Sequence, residues 1–206
     1  MTLDAPGTTE VREVRPGDAN ALAAFFDGTA TPCHCRYWHF EGTKNAWLER
    51  CAFDVGTNRD AMRDAVARRT DEGRGVVAFE GPDVVGWAKL APRGSLPKLG
   101  SLPVYRARKV DPGEAVLALG CVLVRPDRRR RGIARALVRA AISVARTGRA
   151  SLEAYPRHVD APVSDEELWM GPEAVFAREG FRPTYGEAPY RVWRWDPPPE
   201  ADTGTA

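Results

Sequence analysis

The strongest periodic pattern in the chain lies over residues 131–147. Ala134, Leu137, Val138, Ala141, Ile142 and Ala145 fall on one face, and Arg135, Arg139, Ser143 and Arg146 on the other. That spacing predicts an amphipathic helix, ended by Gly148. Residues 115–124 are almost continuously apolar, which predicts a central strand covered on both faces. Residues 75–80 and 84–90 flank a Gly81-Pro82-Asp83 turn and read as a hairpin. Residues 11–15 mix apolar and charged positions like a short strand. After Pro16-Gly17, Asp18 is placed to cap a helix running to about residue 26. A weaker amphipathic helix is expected over 58–70, with Met62, Ala65, Val66 and Arg69 along one side and Gly73 and Gly75 closing it. Residues 92–111, rich in Gly, Pro, Ser and basic side chains, read as a long loop or lid. Residues 151–155 suit a strand. Residues 172–179 suit a short helix with Pro172 in its first turn and Gly180 at its end. Residues 181–185 and 190–195 suit a final hairpin. The order β-α-α-β-β-β-α-β-α-β-β places the chain in the α/β class of the α+β kind, a mixed sheet with helices on its faces.

Composition narrows the function classes. At 206 residues, the chain is expected to hold one domain over 11–196, with a polar lead-in at 1–10 and a proline-led disordered tail at 197–206. Thirty basic against twenty-eight acidic residues give a net charge of +2, which argues against a dedicated nucleic-acid binder. No apolar run is long enough to span a membrane, and the first ten residues lack the features of a secretory signal. Four cysteines do not make a disulfide scaffold, so a reduced cytoplasmic protein is expected.

The stretch richest in chemistry is Val122-Leu123-Val124-Arg125-Pro126-Asp127-Arg128-Arg129-Arg130-Arg131-Gly132-Ile133-Ala134. A buried strand runs into an arginine-rich turn that opens a helix. Free N–H groups and the helix dipole favour an anion there, Gly132 allows close backbone approach, and arginines add charge-assisted bonds. A pyrophosphate is a natural guest. A bare arginine run would read as a solvated surface or a nucleic-acid patch, but the strand before it and the amphipathic helix after it favour the anion site. No Gly-Lys-Ser/Thr follows, so a Walker loop is excluded.

Arg129-Arg130-Arg131-Gly132-Ile133-Ala134 resembles the Arg/Gln-x-x-Gly-x-Gly/Ala signature of the GNAT N-acetyltransferase superfamily, and Phe176-Ala177-Arg178-Glu179-Gly180-Phe181 its late Tyr-x-x-x-Gly-Phe element. Val124-Arg125-Pro126-Asp127 sits where that family ends its fourth strand. Cys33-His34-Cys35-Arg36-Tyr37-Trp38, Asn58-Arg59, Val85-Gly86-Trp87, Ala91-Pro92-Arg93 and Leu152-Glu153-Ala154-Tyr155-Pro156 resemble a bacterial GNAT subgroup. The likeness covers about 11–195. It implies a mixed, mostly antiparallel sheet of about seven strands flanked by helices. It also implies acetyl-CoA as co-substrate and a primary amine, on a small molecule or a peptide, as acceptor. Backbone groups of Val122, Leu123 and Val124 would pair with the pantetheine arm. The amides of Arg129, Arg130, Arg131, Gly132, Ile133 and Ala134 would hold the pyrophosphate, with the side chains of Arg130, Arg131 and Arg135 screening its charge. The implied reaction is direct acyl transfer to a neutral amine, with a backbone N–H near Leu123 stabilising the oxyanion. Dimers are common in the superfamily, so a homodimer is compatible with the resemblance. Neither a membrane nor a nucleic acid is expected as a partner.

Two departures stand out. Phe176 occupies the place where many family members carry a tyrosine acid, and 115–124 contain no carboxylate, Glu114 lying just before them. Approximation of the substrates can carry several kcal/mol of the barrier without either group. Glu153 and Tyr155, two apart on a strand, share a face and are the alternative base and acid; a structural ion pair for Glu153 and a packing role for Tyr155 stand beside that reading. Cys35, Tyr37, Trp38, Trp87 and Arg93 are candidate acceptor-site residues, joined by Lys98 and Trp169. Arg93 and Lys98 would suit an acceptor bearing a carboxylate or phosphate. Cys33-His34-Cys35 with His39 and Cys51 has a poor spacing for structural zinc, so no metal is expected; a cysteine nucleophile is weighed below direct transfer. A non-catalytic acyl-CoA sensor on the same fold is the alternative function.

Overall fold

A computed structural model describes residues 8–29 and 31–199. Most of the expected lead-in and the last seven residues of the expected tail lie outside them. Among the described residues seven strands form one sheet: β1 (Glu10–Glu13), β2 (Gly75–Glu80), β3 (Asp83–Pro92), β4 (Val116–Val124), β5 (Ser151–Ala154), β6 (Arg182–Tyr185) and β7 (Val192–Trp195). Their order is β1-β2-β3-β4-β5-β7-β6, and all pairs are antiparallel except β4 with β5. That parallel pair is joined by α6 (Ile133–Thr147), as a crossover requires.

Each face of the sheet carries its own core. On one side Val76, Ala78, Leu90, Leu119 and Leu152 pack against Leu137, Val138 and Ala141 of α6 and Phe176 of α7 (Glu173–Arg178). On the other, Val77, Trp87, Ala91 and Ala118 pack against Leu22 and Phe26 of α1 (Ala19–Gly28), Met62 of α3 (Val55–Ala67) and Trp38. Burial on both faces explains why β4 reads as an unbroken apolar run.

Three local expectations are corrected. Residues 92–111 are not a continuous loop: Pro97 and Pro103 start two short helices, α4 (Pro97–Ser101) and α5 (Pro103–Arg106), whose Leu99 and Tyr105 are buried. Proline fits a first helical turn because its missing N–H has no partner there anyway. α3 ends before Gly73, at Ala67, because Arg69 turns left-handed (φ 57°). α2 (Lys44–Phe53) was not visible as a pattern, since Trp47 is its one buried residue; its start is marked by Thr43, which accepts from Ala46 N–H at 3.2 Å. Asp18 does stand at the start of α1, but its carboxylate serves the turn before it, accepting from Arg15 N–H (2.7 Å) and pairing with Arg12.

Candidate functional site

A bulge in β4 organises the site. Leu90 opposes Leu119 and Ala88 opposes Val122, so Lys89 faces both Gly120 and Cys121. Gly120 lies under the Trp38 indole and Cys121 packs in the same cluster, whereas Leu119 and Val122 face α6. Such a bulge bends its strand. The ladder between β4 and β5 accordingly stops at the pair Leu119–Ala154. Past it, Val122 N–H donates to the carbonyl of Trp169 at 2.9 Å, outside the sheet. Val124 C=O, on the same edge by alternation, accepts from Arg129 Nε at 3.3 Å. A slot therefore opens between the end of β4 and the end of β5. Lys89 supports the bulge from inside: its ammonium donates to the carbonyls of Asp71 (2.8 Å) and Glu72 (2.7 Å), and burial lowers its pKa to about 8.

At the end of β4 the chain enters the arginine turn. Gly132 has φ +84°, a conformation costly for any side chain, and Ala136 N–H makes the first bond of α6, to Gly132 C=O (3.0 Å). The amides of Ile133, Ala134 and Arg135 precede that bond and sit at the positive end of a fifteen-residue helix. These donors, with the adjacent guanidiniums, fit a pyrophosphate. The arginines themselves are not an open basic patch. Arg128 pairs with Glu80 (2.7 Å) and Asp127 (2.8 Å), and Arg129 with Asp165 (3.3 Å) and Glu166 (3.1 Å). Arg130 pairs with Asp165 (3.2 Å), and Arg135 with Glu179. Among the described residues Arg131 makes no ion pair.

Glu153, within the ladder opposite Ala118, and Tyr155, just past its end, are both 0% exposed. Tyr155 follows the last residue of the β4–β5 ladder, where the strands part, and its ring packs against Trp38 (5.9 Å between centroids) and Tyr105 (5.0 Å). Its hydroxyl donates to Glu153 Oε2 (3.0 Å). Burial, and then the neighbouring carboxylate, raise the Tyr155 pKa well above the usual phenol range. Glu153 also receives Arg93 Nε on Oε2 (2.9 Å), and Arg108 lies 2.9 Å from Oε1, an ion contact outside hydrogen-bonding alignment. The sequence reading allowed Glu153 an arginine partner without naming one; Arg108 sits in the stretch expected to be a lid, and Arg194 of β7 lies 3.8 Å from Oε1. Phe176 is buried on the α6 side of the slot: a Cβ on Gly171 would meet both Phe176 (2.9 Å) and Val122 (3.3 Å). Glu114 pairs with Arg194 at the far end of β4.

The segment 33–40 forms an arm over the other face. Left-handed His34 (φ 42°) and Cys35 (φ 57°) turn it sharply. Asn58 Nδ2 holds it through the carbonyl of Pro32 (3.0 Å), and Asp27 through His34 Nε2 (3.1 Å). Of the candidate acceptor residues, Cys35, Trp38 and Trp87 are packed inside, and Arg93 is engaged by Glu153. Tyr37 and Trp38 reach the slot, meeting Trp169 at 5.8 and 5.6 Å. Tyr37 also lines a cavity of about 680 Å³ with Phe40, Trp47 and Lys98, and the Lys98 ammonium lies over the Tyr37 ring (5.7 Å). A second cavity, of about 460 Å³, lies between β1 and the end of α3, away from the slot. Cys33, Cys35, Cys51 and Cys121 are free thiols; burial pushes Cys33 up to about 12. Among the described residues no three His, Cys, Asp or Glu side chains gather as a metal site, and no helix is long and apolar enough to cross a membrane.

A sequence profile of the acetyltransferase (GNAT) family matches residues 35–161. Solved structures share the fold. The PaiA N-acetyltransferase of Thermoplasma acidophilum, in complex with coenzyme A, superposes with a TM-score of 0.51 at 10% identity, covering 92% of this chain and 99% of that one. An N-acetyltransferase of Staphylococcus aureus Mu50 gives 0.51 at 16% identity, over 92% and 98%. The GNAT domain of S. lividans PAT gives 0.52 at 17% identity, over 92% and 91%. No curated protein matches the sequence.

Proposed function

Because the chain belongs to the GNAT acetyltransferase family, we propose that it is an acetyl-CoA-dependent N-acetyltransferase, moving an acetyl group directly to a primary amine on a small molecule, a lysine or an N-terminus. The observation that carries this reading is the parting of β4 from β5 beyond Leu119, at a strand end that leads straight into the Gly132 turn and the start of α6. Backbone groups of Val122, Leu123 and Val124 receive the pantetheine arm. The amides of Arg129 to Ala134 receive the pyrophosphate, and Arg130, Arg131 and Arg135 supply countercharge.

In the transfer a C–N bond to the amine forms, the thioester C–S bond breaks, coenzyme A leaves as its thiolate, and the proton that the amine sheds ends on that thiolate, so that free coenzyme A thiol is released. Tyr155, where the strands part, is the hydroxyl placed to relay a proton. Glu153, fixed by Arg93 and Arg108, positions that hydroxyl. Most of the acceleration then comes from holding amine and thioester together. The acceptor approaches along the arm, past Tyr37 and Trp38, from the cavity that Lys98 flanks. Four free cysteines suit a reducing, cytoplasmic setting.

Calorimetric titration with acetyl-CoA, propionyl-CoA and free coenzyme A tests the reading, followed by thiol release with a panel of amines. One-site binding of acetyl-CoA and amine-dependent thiol release are expected. Binding without release for any amine would favour the sensor alternative, and no binding to any of the three would sink both.

A further inference from the structure

The acidic strap 164–171 lies on the groups that the proposed coenzyme needs. Three independent contacts place it there. Asp165 reaches both Arg129 (3.3 Å) and Arg130 (3.2 Å), and Glu166 reaches Arg129 (3.1 Å), so carboxylates stand at the arginine turn where phosphates would lie. Four residues on, the carbonyl of Trp169 takes the hydrogen bond of Val122 N–H (2.9 Å), on the edge that β5 vacates. The Trp169 indole then packs on Tyr37 and Trp38, closing the space between the slot and the arm. Turn, slot and arm are thus bridged by one short segment.

We propose that this strap is an internal competitor for coenzyme binding: Asp165 and Glu166 mimic the phosphates, the Trp169 carbonyl mimics the pantetheine amide contact, and the coenzyme binds by displacing all three. The proposal rests on the coenzyme reading above. Its physical basis is mutual exclusion. One backbone N–H cannot serve two in-line acceptors, and a carboxylate and a phosphate cannot share the same guanidinium edge without severe like-charge repulsion. The coenzyme's doubly esterified diphosphate matches the two carboxylates in charge and also gains the amides at the start of α6, so it wins at sufficient concentration. The ion pairs are solvent-screened, Glu166 being 71% exposed, so the strap raises the concentration needed rather than abolishing binding.

The test compares coenzyme A binding by the wild type, the double variant Asp165→Asn/Glu166→Gln, and the control Glu167→Gln, whose carboxylate pairs with Arg157 (3.1 Å) instead of the turn. The double variant is expected to bind coenzyme A roughly three- to tenfold tighter, the size of the three weak, screened ion pairs it removes, and the control to match the wild type. Hydrogen exchange over 164–171 is expected to rise in the wild type when coenzyme A is bound. Equal or weaker binding by the double variant, or strap amides that gain protection on binding, would overturn the competition while leaving the coenzyme site intact. If neither wild type nor variant binds coenzyme A, the functional reading itself falls and the strap has nothing to compete with.

Discussion

Tyr155 and Glu153, two apart at the end of β5, meet directly: the phenol donates to the carboxylate at 3.0 Å, on the same oxygen that Arg93 reaches at 2.9 Å. Two residues on one face of a strand are natural neighbours, but here both are fully buried at the point where the sheet splits. Replacing Tyr155 with Phe keeps the packing on Trp38 and Tyr105 and removes the hydroxyl. The expected result is a fall in kcat of at least about tenfold, in the range of a lost proton relay, with coenzyme affinity unchanged. Steady-state kinetics beside calorimetry checks it; an unchanged kcat would assign Tyr155 to packing alone.

Glu153→Ala would leave Arg93 and Arg108 facing an empty buried site. Breaking such a pair costs about 3–5 kcal/mol, so chemical denaturation should show a large loss of stability. Glu153→Gln keeps the volume and one acceptor oxygen and is expected to cost less. If the two variants lose the same stability, the charge alone, and not the volume or the remaining acceptor oxygen, holds this cluster together.

Gly132 has open space around it but φ +84°. A Cβ added there meets nothing within 4 Å, so a Gly132→Ala variant adds only backbone strain of about 1–2 kcal/mol. The fold is expected to survive, with a modest fall in Tm, while coenzyme A affinity drops by more than about tenfold because the amides that follow are re-aimed. A folded variant with wild-type affinity would remove the turn from the binding site.

Gly120 presents the opposite case. A Cβ there would stand 2.5 Å from Trp38 Nε1, so Gly120→Ala must push the indole off the bulge. Overpacking of this kind costs about 1–3 kcal/mol. A shift in tryptophan fluorescence, together with weaker acceptor kinetics, is the expected signature, since Trp38 links the arm to the slot. An unchanged spectrum and unchanged stability would mean that the arm yields freely.

His158 joins the strap region to α7: Nδ1 meets Glu173 at 2.6 Å and Nε2 meets Asp160 at 3.0 Å. The hydrogen bond to Glu173, then that to Asp160, raise its pKa above the ordinary histidine value. The imidazolium is the form that these carboxylates favour. The stabilisation is therefore complete below the unfolded value, about 6.5, and is lost as pH rises through the higher folded one. An NMR titration should place His158 above 6.5, and His158→Gln should flatten the dependence of stability on pH in that window. A titration at or below the ordinary value would break the account.

The elements of this fold that were legible in the sequence are those whose burial is set by their own periodicity. α6 and β4 announce themselves because one buries a full stripe and the other both faces. The hairpin β2–β3 is marked by its turn residues. α2 was not legible because it buries only Trp47, and α4 and α5 were hidden because prolines at helix starts look like loop residues in a one-dimensional pattern.

The same division runs through the site. The sequence by itself determined that an apolar strand, an arginine turn and a glycine would be contiguous, since neighbours in the chain stay neighbours in space. Only the tertiary structure decided which charges those arginines meet. Asp165 and Glu166 lie more than thirty residues on and arrive by the return of the chain after β5. Arg93 and Arg108, brought to Glu153 from another strand end and the segment after α5, arrive the same way. Periodicity reports which side of an element is buried; it carries no information about which distant side chain will be its partner, because that depends on strand order and on the length of every intervening connection.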